Sequence, residues 1–446
     1  MRLISKETIK TCVRLFLCLI LSVLCGMTLL VLVNYLPSER IKNNVRSGAQ
    51  IILQENAEFQ YADGYVEAIL DNYTDALILS KVVYPSDHPL KDAVMVPSYS
   101  FPGQDVEGMQ LFGTLNDNPL DDVQVDTYAR YWHGYLAVLK PFFTFFSYAD
   151  FRILNQAAEL ILMLMIAALM QKRHLGFLIP AYVGMLILWN PGTMGVSLQY
   201  APCCYISLGA AAFILWTSRY HAEFQKILFL FLFCGILTAY LDFLTYPIAT
   251  LGIPLIFWIL TETSQSRIRK KSESLKIGLL CIVWVAGYLG MWAGKWILGT
   301  LLSGENILSD AALNVANRTS TQDGGQSLTR SGVVMYLIRY TFGKKPYLLL
   351  MIVLIGAIMM WLHMKKKLLK DKNNKAEGIM VPARKNKCIW LVLVGGLPFL
   401  WYFVTANHSF IHPRLVYRAM GVTVLAWISA TLLVVQSYPW RIKDSN

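Results

Sequence analysis

Two carboxylates, Asp71 and Asp75, stand four residues apart in the stretch DNYTD. On a helix this spacing would point both side chains from one face. Two neighbouring carboxylates can raise the pKa of one of them towards that of a general base, or they can hold a divalent ion through hard oxygen ligands. The pair is therefore a candidate catalytic base and a candidate metal site. The alternative is a solvated acidic face in a loop that is rich in acids.

The stretch ANHSFIHPRLVYR brings together His408, His412, Arg414 and Arg418. Arginine suits bidentate contact with phosphate. Clustered cations at an outer membrane face also run against the usual excess of Lys and Arg on the cytoplasmic side. These four residues are therefore candidates for binding a phosphate, and the alternative is anchoring at the interface by side chains that reach back to water.

A second group of cations lies in the region 300–345, where Arg318 is the candidate for substrate binding. The same region holds Arg330, Arg339, Lys344 and Lys345. The competing interpretation is a solvated loop. The surrounding sequence TSTQDGGQSLTRSG is rich in Ser, Thr and Gly, which predicts a flexible or lid-like segment.

Residues 128–155 carry three further candidates for substrate binding, Arg130, His133 and Arg152. The tyrosines and the tryptophan around His133 suit the boundary between water and membrane. The alternative role for His133 is therefore packing as an interfacial ring. The apolar run 135–146 that follows is too short to cross about 30 Å of hydrocarbon, so it predicts a surface helix. Asp242, at the outer end of a span, is expected to face a cavity as a cation ligand or a hydrogen-bond partner.

The composition is that of an integral membrane protein: of 446 residues, 55% are hydrophobic and 15% are charged. The net charge of +12 is unevenly distributed. Residues 37–150 carry 16 Asp and Glu against 7 Lys and Arg, and the rest of the chain carries 12 against 33. The excess cations lie mostly in short links between apolar runs, which is typical of cytoplasmic loops and argues against nucleic acid as a partner.

The apolar runs predict an all-α integral membrane protein with about ten transmembrane helices. Three regions follow: residues 1–36 with the first span, a large mixed outer loop over 37–151, and a bundle over 152–446 that includes the outer loop 300–345. The basic links predict a multi-pass protein with both termini in the cytoplasm. The membrane is expected to be the plasma membrane. The predicted spans cover 12–36, 154–170, 175–189, 202–216, 227–240, 247–260, 277–298, 347–363, 389–404 and 416–435.

The order of these features resembles the C-type glycosyltransferases, in the branch of the protein O-mannosyltransferases and the lipid A aminoarabinose transferases. In that branch an acidic motif follows the first span, and a His-Pro-Pro-like turn precedes a surface helix and an Arg-Leu start to the second span. The corresponding stretches here are DNYTD at 71–75, HGY at 133–135 and FRIL at 151–154. The likeness is detailed over the N-terminal 175 residues. The acidic motif lies further from the first span than in the family, and the turn reads His-Gly-Tyr.

The resemblance implies transfer of a sugar from a polyprenyl-phosphate carrier to a hydroxyl acceptor of the cell envelope, on the outer face. A carboxylate, Asp75 or Asp71, would take the acceptor's proton, and cations would stabilise the departing phosphate. No cofactor is implied beyond a candidate divalent ion. Two other functions remain open: a transporter or flippase, and an outer-face polymerase, ligase or noncatalytic subunit for lipid-linked glycans.

Overall fold

The computed structural model describes residues 6–56, 58–102, 107–118, 123–218, 223–262, 270–345, 348–356, 359–360 and 382–436. Most of them are helical. The helices up to residue 261 are α1 (Lys6–Val33), α2 (Ser38–Glu55), α3 (Asn72–Val83), α4 (Pro89–Met95), α5 (Glu107–Leu115), α6 (Leu136–Phe143), α7 (Tyr148–Lys172), α8 (Ile179–Trp189), α9 (Pro191–Met194), α10 (Ala201–Thr217), α11 (Phe224–Leu241) and α12 (Ala249–Thr261).

The later helices include α13 (Lys270–Ser303), α14 (Ile307–Thr319) and α15 (Arg330–Phe342), and the segment 348–356 is also helical. The last helices of the described chain are Pro382–Gly395, Leu397–Val404, Ala406–Ile411, Pro413–Val416 and Met420–Gln436. Short 3-10 turns cover Val66–Ala68, Gly176–Leu178 and Tyr417–Ala419. Two antiparallel strand pairs complete the described structure: β1 (Pro97–Ser100) with β2 (Gln124–Thr127), and β3 (Gln322–Asp323) with β4 (Gln326–Ser327).

Six helical segments of the described chain are long and apolar enough to cross a membrane: Lys6–Val33, Tyr148–Lys172, Phe224–Leu241, Glu273–Ser303, Asn386–Val404 and Pro413–Gln436. Each coincides with a predicted span. Three other predicted spans coincide with shorter apolar helices, Gly176–Trp189, Ala201–Thr217 and Ala249–Thr261. At a rise of about 1.5 Å per residue these fall short of about 30 Å of hydrocarbon. The predicted span 347–363 lies partly outside the described residues. The chain is therefore a mostly helical protein with six candidate spans.

The segment between α1 and α7 is folded, mostly as helices with the short strand pair β1–β2. The buried apolar side chains of α2 are those of Ile41, Val45, Ala49 and Ile52, whose spacing of three or four places them on one side of the helix. Towards α7 the same helix carries Gly48, where an added Cβ would stand 2.6 Å from the backbone nitrogen of Ala149. The close approach of α2 to α7 therefore depends on glycine at this position.

Helix α7 begins with a capping box. The Ser147 hydroxyl accepts from the backbone N–H of Asp150, and the Asp150 carboxylate accepts from the backbone N–H of Ser147 at 2.8 Å. This start places Arg152 in the first turns of the helix, where it contacts Glu55 and Asn72 of the segment between α1 and α7.

The turn His133–Gly134 attaches the segment between α1 and α7 to the end of α11. His133 has a positive φ of 52°, and the backbone N–H of Gly134 donates to the Tyr240 carbonyl at 2.8 Å. An added Cβ on Gly134 would stand 2.4 Å from the Tyr240 ring. Proline has no N–H and could not make this bond. A proline in place of Gly134 would therefore remove this link to α11.

Residues 300–345, which the sequence predicts to be flexible or lid-like, fold into α14, the hairpin β3–β4 and α15. The side chains of Asn306 and Thr329 cap the two helices by accepting from Ser309 N and Gly332 N. Gly324 and Gly325 turn the hairpin with positive φ values of 51° and 88°. The composition indicated a loop because residues that suit caps and turns are also common in loops.

Candidate functional site

Asp71 and Asp75 are buried, each with 1% of its surface exposed. Asp71 is the N-cap residue of α3, and Asp75 lies in the first turn of that helix. The alternative interpretation of DNYTD as a solvated acidic face is therefore wrong. Burial of two carboxylates requires compensating partners, and these partners differ between the two residues.

Asp71 receives hydrogen bonds from its own helix and from a distant loop. The Thr74 backbone N–H donates to it at 3.2 Å, the Thr74 hydroxyl donates at 2.9 Å, and the Gln199 side-chain amide donates as well. A guanidinium nitrogen of Arg414 lies 3.6 Å from the same carboxylate. Burial raises the pKa of Asp71, and the bonds from Thr74 and Gln199 and the charge of Arg418 oppose that rise.

Asp75 is enclosed entirely by donors of the protein. The Tyr148 hydroxyl donates at 2.7 Å, the Ser197 hydroxyl at 3.2 Å and the Leu198 N–H at 3.0 Å. Burial raises its pKa to about 7, against the opposing Tyr148 bond and the charge of Arg152. Asp75 therefore ties α3 to α7 and to the loop before α10, whereas Asp71 faces the cationic side chains.

The two carboxylates do not fit the candidate divalent ion. Both oxygens of each carboxylate already accept from protein donors, and Arg414 lies beside Asp71. A metal ion would compete with all of these groups. Within the described chain, no group of three or more His, Cys, Asp or Glu side chains is arranged to hold a metal ion.

Two arginines near Asp71, Arg414 and Arg418, lie in the turns before the helix Met420–Gln436. Arg414 pairs with Glu58 as well as with Asp71. Arg418 is 1% exposed, its guanidinium lies 3.6 Å above the Tyr200 ring, and its Nη1 donates to the Arg414 carbonyl at 2.8 Å. Among the described residues its Nε and Nη2 have no hydrogen-bond partner. A buried guanidinium with two open donors is suited to an anion or to ordered water.

We refer to Asp71, Asp75, Gln199, Arg414 and Arg418 as the Asp71 cluster. Three side-chain atoms in or near it also lack a hydrogen-bond partner in the described part of the chain: Gln199 Oε1, Tyr417 Oη and Glu159 Oε2. Open donors and open acceptors at one place indicate room for a polar ligand or water.

Sequence reasoning missed Gln199 and Glu159. Gln199 lies in an uncharged link that carries no recognisable motif. Glu159 did carry a signal, because an acid within an apolar span is costly and usually functional. It follows Arg152 and Asn155 at intervals of three and four residues, which places all three on one face of α7.

Arg152 supports the cluster from α7. Its guanidinium makes two bonds of 2.8 Å to the Glu55 carboxylate and a third of 2.9 Å to Asn72 Oδ1. It also lies 5.0 Å from the Tyr148 ring centre. These partners leave only Nε without a bond among the described residues. In this geometry Arg152 holds the chain next to Asp71.

The two histidines of the late turn lie between the Asp71 cluster and α14. Their rings are 4.9 Å apart; His408 Nε2 lies 2.8 Å from the Leu244 carbonyl and His412 Nε2 lies 3.4 Å from Arg318 Nη1. Burial lowers the pKa of His408 to about 3 and that of His412 to about 4. Both rings are neutral near pH 7, so they contribute hydrogen-bonding atoms and no cationic charge.

An apolar cavity of about 230 Å³ lies beside this turn, between α13, α14 and the helix Leu397–Val404. Its walls are largely aromatic and aliphatic, and Arg130 and Arg318 supply charge. Arg130 pairs with Asp310 at 3.5 Å and stacks 4.4 Å from the Tyr128 ring centre. The lining residues are Arg130, Tyr131, Leu244, Tyr288, Leu289, Trp292, Trp296, Ala311, Asn314, Val315, Arg318, Thr319, Trp401, Val404 and Thr405.

His133 lies apart from the Asp71 cluster, inside an aromatic group. One ring nitrogen is 2.6 Å from the Tyr135 hydroxyl and the other is 3.0 Å from the Tyr128 carbonyl. Burial, with the charges of Lys81 and Lys295, holds its pKa well below the usual value. Both nitrogens are therefore used within the protein, which agrees with the packing role.

Asp242 is also buried, at 6% exposure, and its carboxylate accepts from the backbone N–H of Thr245 at 3.0 Å and from the Thr245 hydroxyl. Burial raises its pKa to about 6. Of the two roles expected for it, these contacts match the hydrogen bond within the bundle.

No protein-family model, curated protein or solved structure matches this chain. The functional assignment therefore depends on the chemistry of the residues described above.

Proposed function

We propose that this protein is an inverting membrane glycosyltransferase that uses a polyprenyl-phosphate sugar and a hydroxyl acceptor. The observation that carries the proposal is the Asp71 cluster. A buried carboxylate lies 3.6 Å from Arg414 and near Arg418, whose Nε and Nη2 lack partners among the described residues. A base beside cations is the combination that this transfer requires.

The proposed chemistry assigns one role to each charge. The acceptor oxygen forms a bond to the anomeric carbon while its proton passes to the Asp71 carboxylate. The bond between the anomeric carbon and the phosphate oxygen breaks, and its electron pair stays on the phosphate. The negative charge that develops on the polyprenyl phosphate is stabilised by Arg414 and Arg418. The raised pKa of Asp71 makes its carboxylate a stronger base than a solvated one.

The apolar cavity is the proposed seat of the first isoprene units of the carrier. Its aromatic walls suit an unsaturated hydrocarbon chain, and Arg318 connects it to the late turn through His412 at 3.4 Å. His412 precedes Arg414 by two residues, and Arg414 contacts Asp71. A carrier whose tail lies in the cavity could therefore present its phosphate to the arginines of the late turn.

The proposal includes the finer topology that the sequence suggests. It has about ten spans in the plasma membrane, both termini in the cytoplasm, and the Asp71 cluster on the outer side. The three short apolar helices and the segment 347–363 would supply the spans beyond the six long ones.

The test uses the purified protein in nanodiscs with a panel of polyprenyl-phosphate and polyprenyl-diphosphate sugars. Mass spectrometry measures the released carrier and the glycosylated acceptor, with simple glycosides and water as acceptors. Asp71→Asn should keep the helix cap, because asparagine caps as well as aspartate does. It should lower turnover by roughly 100-fold or more, because the base is lost.

The matched control is Asp126→Asn, which removes a carboxylate from the exposed strand β2. Its turnover should equal that of the wild type. Transfer at the wild-type rate by a folded Asp71→Asn variant would overturn the assignment of the base. Carrier translocation without release of carrier phosphate would favour a flippase, and use of diphosphate donors alone would favour a polymerase or ligase.

A further inference from the structure

A second cavity, of about 340 Å³, lies at the outer end of α1, away from the Asp71 cluster. It is enclosed by the link from α1 to α2, the end of α3, the loop before α4, and α6. In contrast to the aromatic cavity it is polar, and its lining includes Asn34, Ser38, Tyr84, Ser86, Asp87 and Lys140. The proposed transferase chemistry uses none of these residues.

Lys140 is the buried cation that lines this cavity, and it is only 5% exposed. Its ammonium donates to Asn34 Oδ1 at 2.8 Å. In the described chain no carboxylate lies within 4.0 Å of it. Burial lowers its pKa to about 8, so it remains mostly protonated at pH 7. The charge of Asp92 opposes this shift without touching the ammonium, so part of the desolvation cost remains for a bound anion to offset.

The start of α2 adds partial positive charge on the same cavity. Pro37 and Ser38 line it, and the N-cap Pro37 provides no side-chain cap. The first N–H groups of an 18-residue helix therefore point towards the space that Lys140 also reaches. The Ser38 hydroxyl can donate to an anion at the same place, whereas the Ser86 hydroxyl already donates to the Asp92 carboxylate at 2.7 Å.

Asp87 gives the cavity a second and opposite charge. It lines the cavity, and its side chain is exposed. A ligand with negative charge alone would gain from Lys140 but would be repelled by Asp87. A ligand that carries an anionic and a cationic group a few ångströms apart satisfies both residues.

The surroundings of the cavity are apolar and exposed. Leu32 on the last turn of α1 and Tyr35 just after that helix are 57% and 72% exposed. Val138 on α6 and Phe145 just after it are 59% and 68% exposed. Because α1 is a candidate membrane span, its exposed end marks the level of the lipid headgroups. The cavity therefore opens where a lipid could insert a headgroup and lay its chains along α1.

We propose that this cavity binds the headgroup of a zwitterionic phospholipid with a primary amine, of the phosphoethanolamine type. The phosphodiester would contact Lys140 and the N-terminal amides of α2, and the ammonium would contact Asp87. The acyl chains would cover the exposed face of α1. This lipid site is independent of the glycosyltransferase proposal, because the two share no residue.

The test measures lipid binding by native mass spectrometry and thermal unfolding of the purified protein in detergent. Phosphatidylethanolamine, phosphatidylglycerol and phosphatidylcholine are added separately, with soluble O-phosphoethanolamine as a fourth ligand. We expect phosphatidylethanolamine to bind at least about tenfold more tightly than the other two lipids, which corresponds to about 1.4 kcal/mol. The soluble headgroup should bind far more weakly, since it lacks the chains.

Two variants separate the two charges. Lys140→Met removes the buried ammonium and should abolish the stabilisation by phosphatidylethanolamine, whereas the control Lys91→Met, at an exposed lysine of α4, should not. Asp87→Asn changes an exposed residue, so it keeps the test valid if Lys140→Met fails to fold. It should remove the preference for phosphatidylethanolamine over phosphatidylglycerol.

Equal binding of the three lipids by the wild type would overturn the proposal, as would an unchanged preference in folded Asp87→Asn. Binding of O-phosphoethanolamine as tight as that of the lipid would assign the cavity to a soluble phosphate ester and refute the lipid.

Discussion

The variant Arg152→Met tests whether this arginine positions the Asp71 cluster or binds substrate. The guanidinium makes two bonds of 2.8 Å to Glu55 and one of 2.9 Å to Asn72. Loss of one partner from a fully buried ion pair costs about 3–5 kcal/mol. The Glu55 side chain is 23% exposed and can regain some hydration. We therefore expect the free energy of unfolding to fall by about 2–3 kcal/mol.

A double-mutant cycle isolates the ion pair from other effects of the substitution. Glu55→Gln, Arg152→Met and the double variant are unfolded reversibly in mixed micelles, and the free energies are compared. The double variant should lose less than the sum of the single losses, by about 1–2 kcal/mol, because it leaves no unpaired charge. Any variant that remains folded should retain its affinity for the lipid donor.

The opposite pattern would refute this role for Arg152. If Arg152→Met unfolds like the wild type but binds donor more weakly, the guanidinium contacts substrate and the ion pair with Glu55 does not contribute to stability. Strict additivity of the two single losses would likewise exclude coupling between the two side chains.

Three shorter predictions concern pH, the Gly134 turn and the topology. Burial raises the folded-state pKa of Asp75 to about 7, from an ordinary value of about 3.9, so the folded protein binds the carboxyl proton more tightly than the unfolded chain does. The stability that comes from this proton is complete below about pH 4 and is lost as pH rises through about 7. Over that range the unfolding free energy of the wild type should fall relative to Asp75→Asn by up to about 4 kcal/mol, and parallel pH curves would contradict this. Gly134→Ala should lower the free energy of unfolding by about 1–3 kcal/mol, measured by thermal unfolding, because the added Cβ would meet the Tyr240 ring. Gly134→Pro should lower it further, because the hydrogen bond to the Tyr240 carbonyl is also lost. A cysteine in place of the exposed Ser327 should react with an impermeant thiol reagent on intact cells, and a cysteine in place of the exposed Lys172 should not. The reverse result would invert the proposed topology.

The positions of the apolar helices could be predicted from the sequence, because a run of apolar residues fixes the position of a membrane helix with little help from tertiary contacts. The start of α7 shows the limit of this approach. The apolar run predicts a start at residue 154, whereas the capping box at Ser147 starts the helix at Tyr148. The capping box is visible in the sequence Ser-Tyr-Ala-Asp at 147–150. A search for apolar runs misses it, because Asp150 and Arg152 are charged residues in the first turns of the helix.

The candidate site could be predicted only in part. The residue types of Asp71, Arg414 and Arg418 indicated a carboxylate base and phosphate-binding cations. Nothing in the sequence shows that residues more than 300 positions apart would lie in contact. The neutral state of His412 was also not predictable, because it results from burial beside Arg318. Contacts between distant segments and the charge states that follow from them depend on the packed structure.

The two aspartates are not equivalent, and their partners favour Asp71 over Asp75 as the base. A base needs an oxygen that an acceptor hydroxyl can reach, and every donor on Asp75 is a backbone amide or a side chain fixed by neighbouring helices. On Asp71 one donor is different. Gln199 donates from its amide nitrogen while its Oε1 has no partner in the described chain, so the side chain is only half satisfied where it stands. An acceptor hydroxyl could take the place of the Gln199 amide on Asp71 without breaking a second hydrogen bond of that side chain, and the released carbonyl could accept from another hydroxyl of the same sugar or polymer.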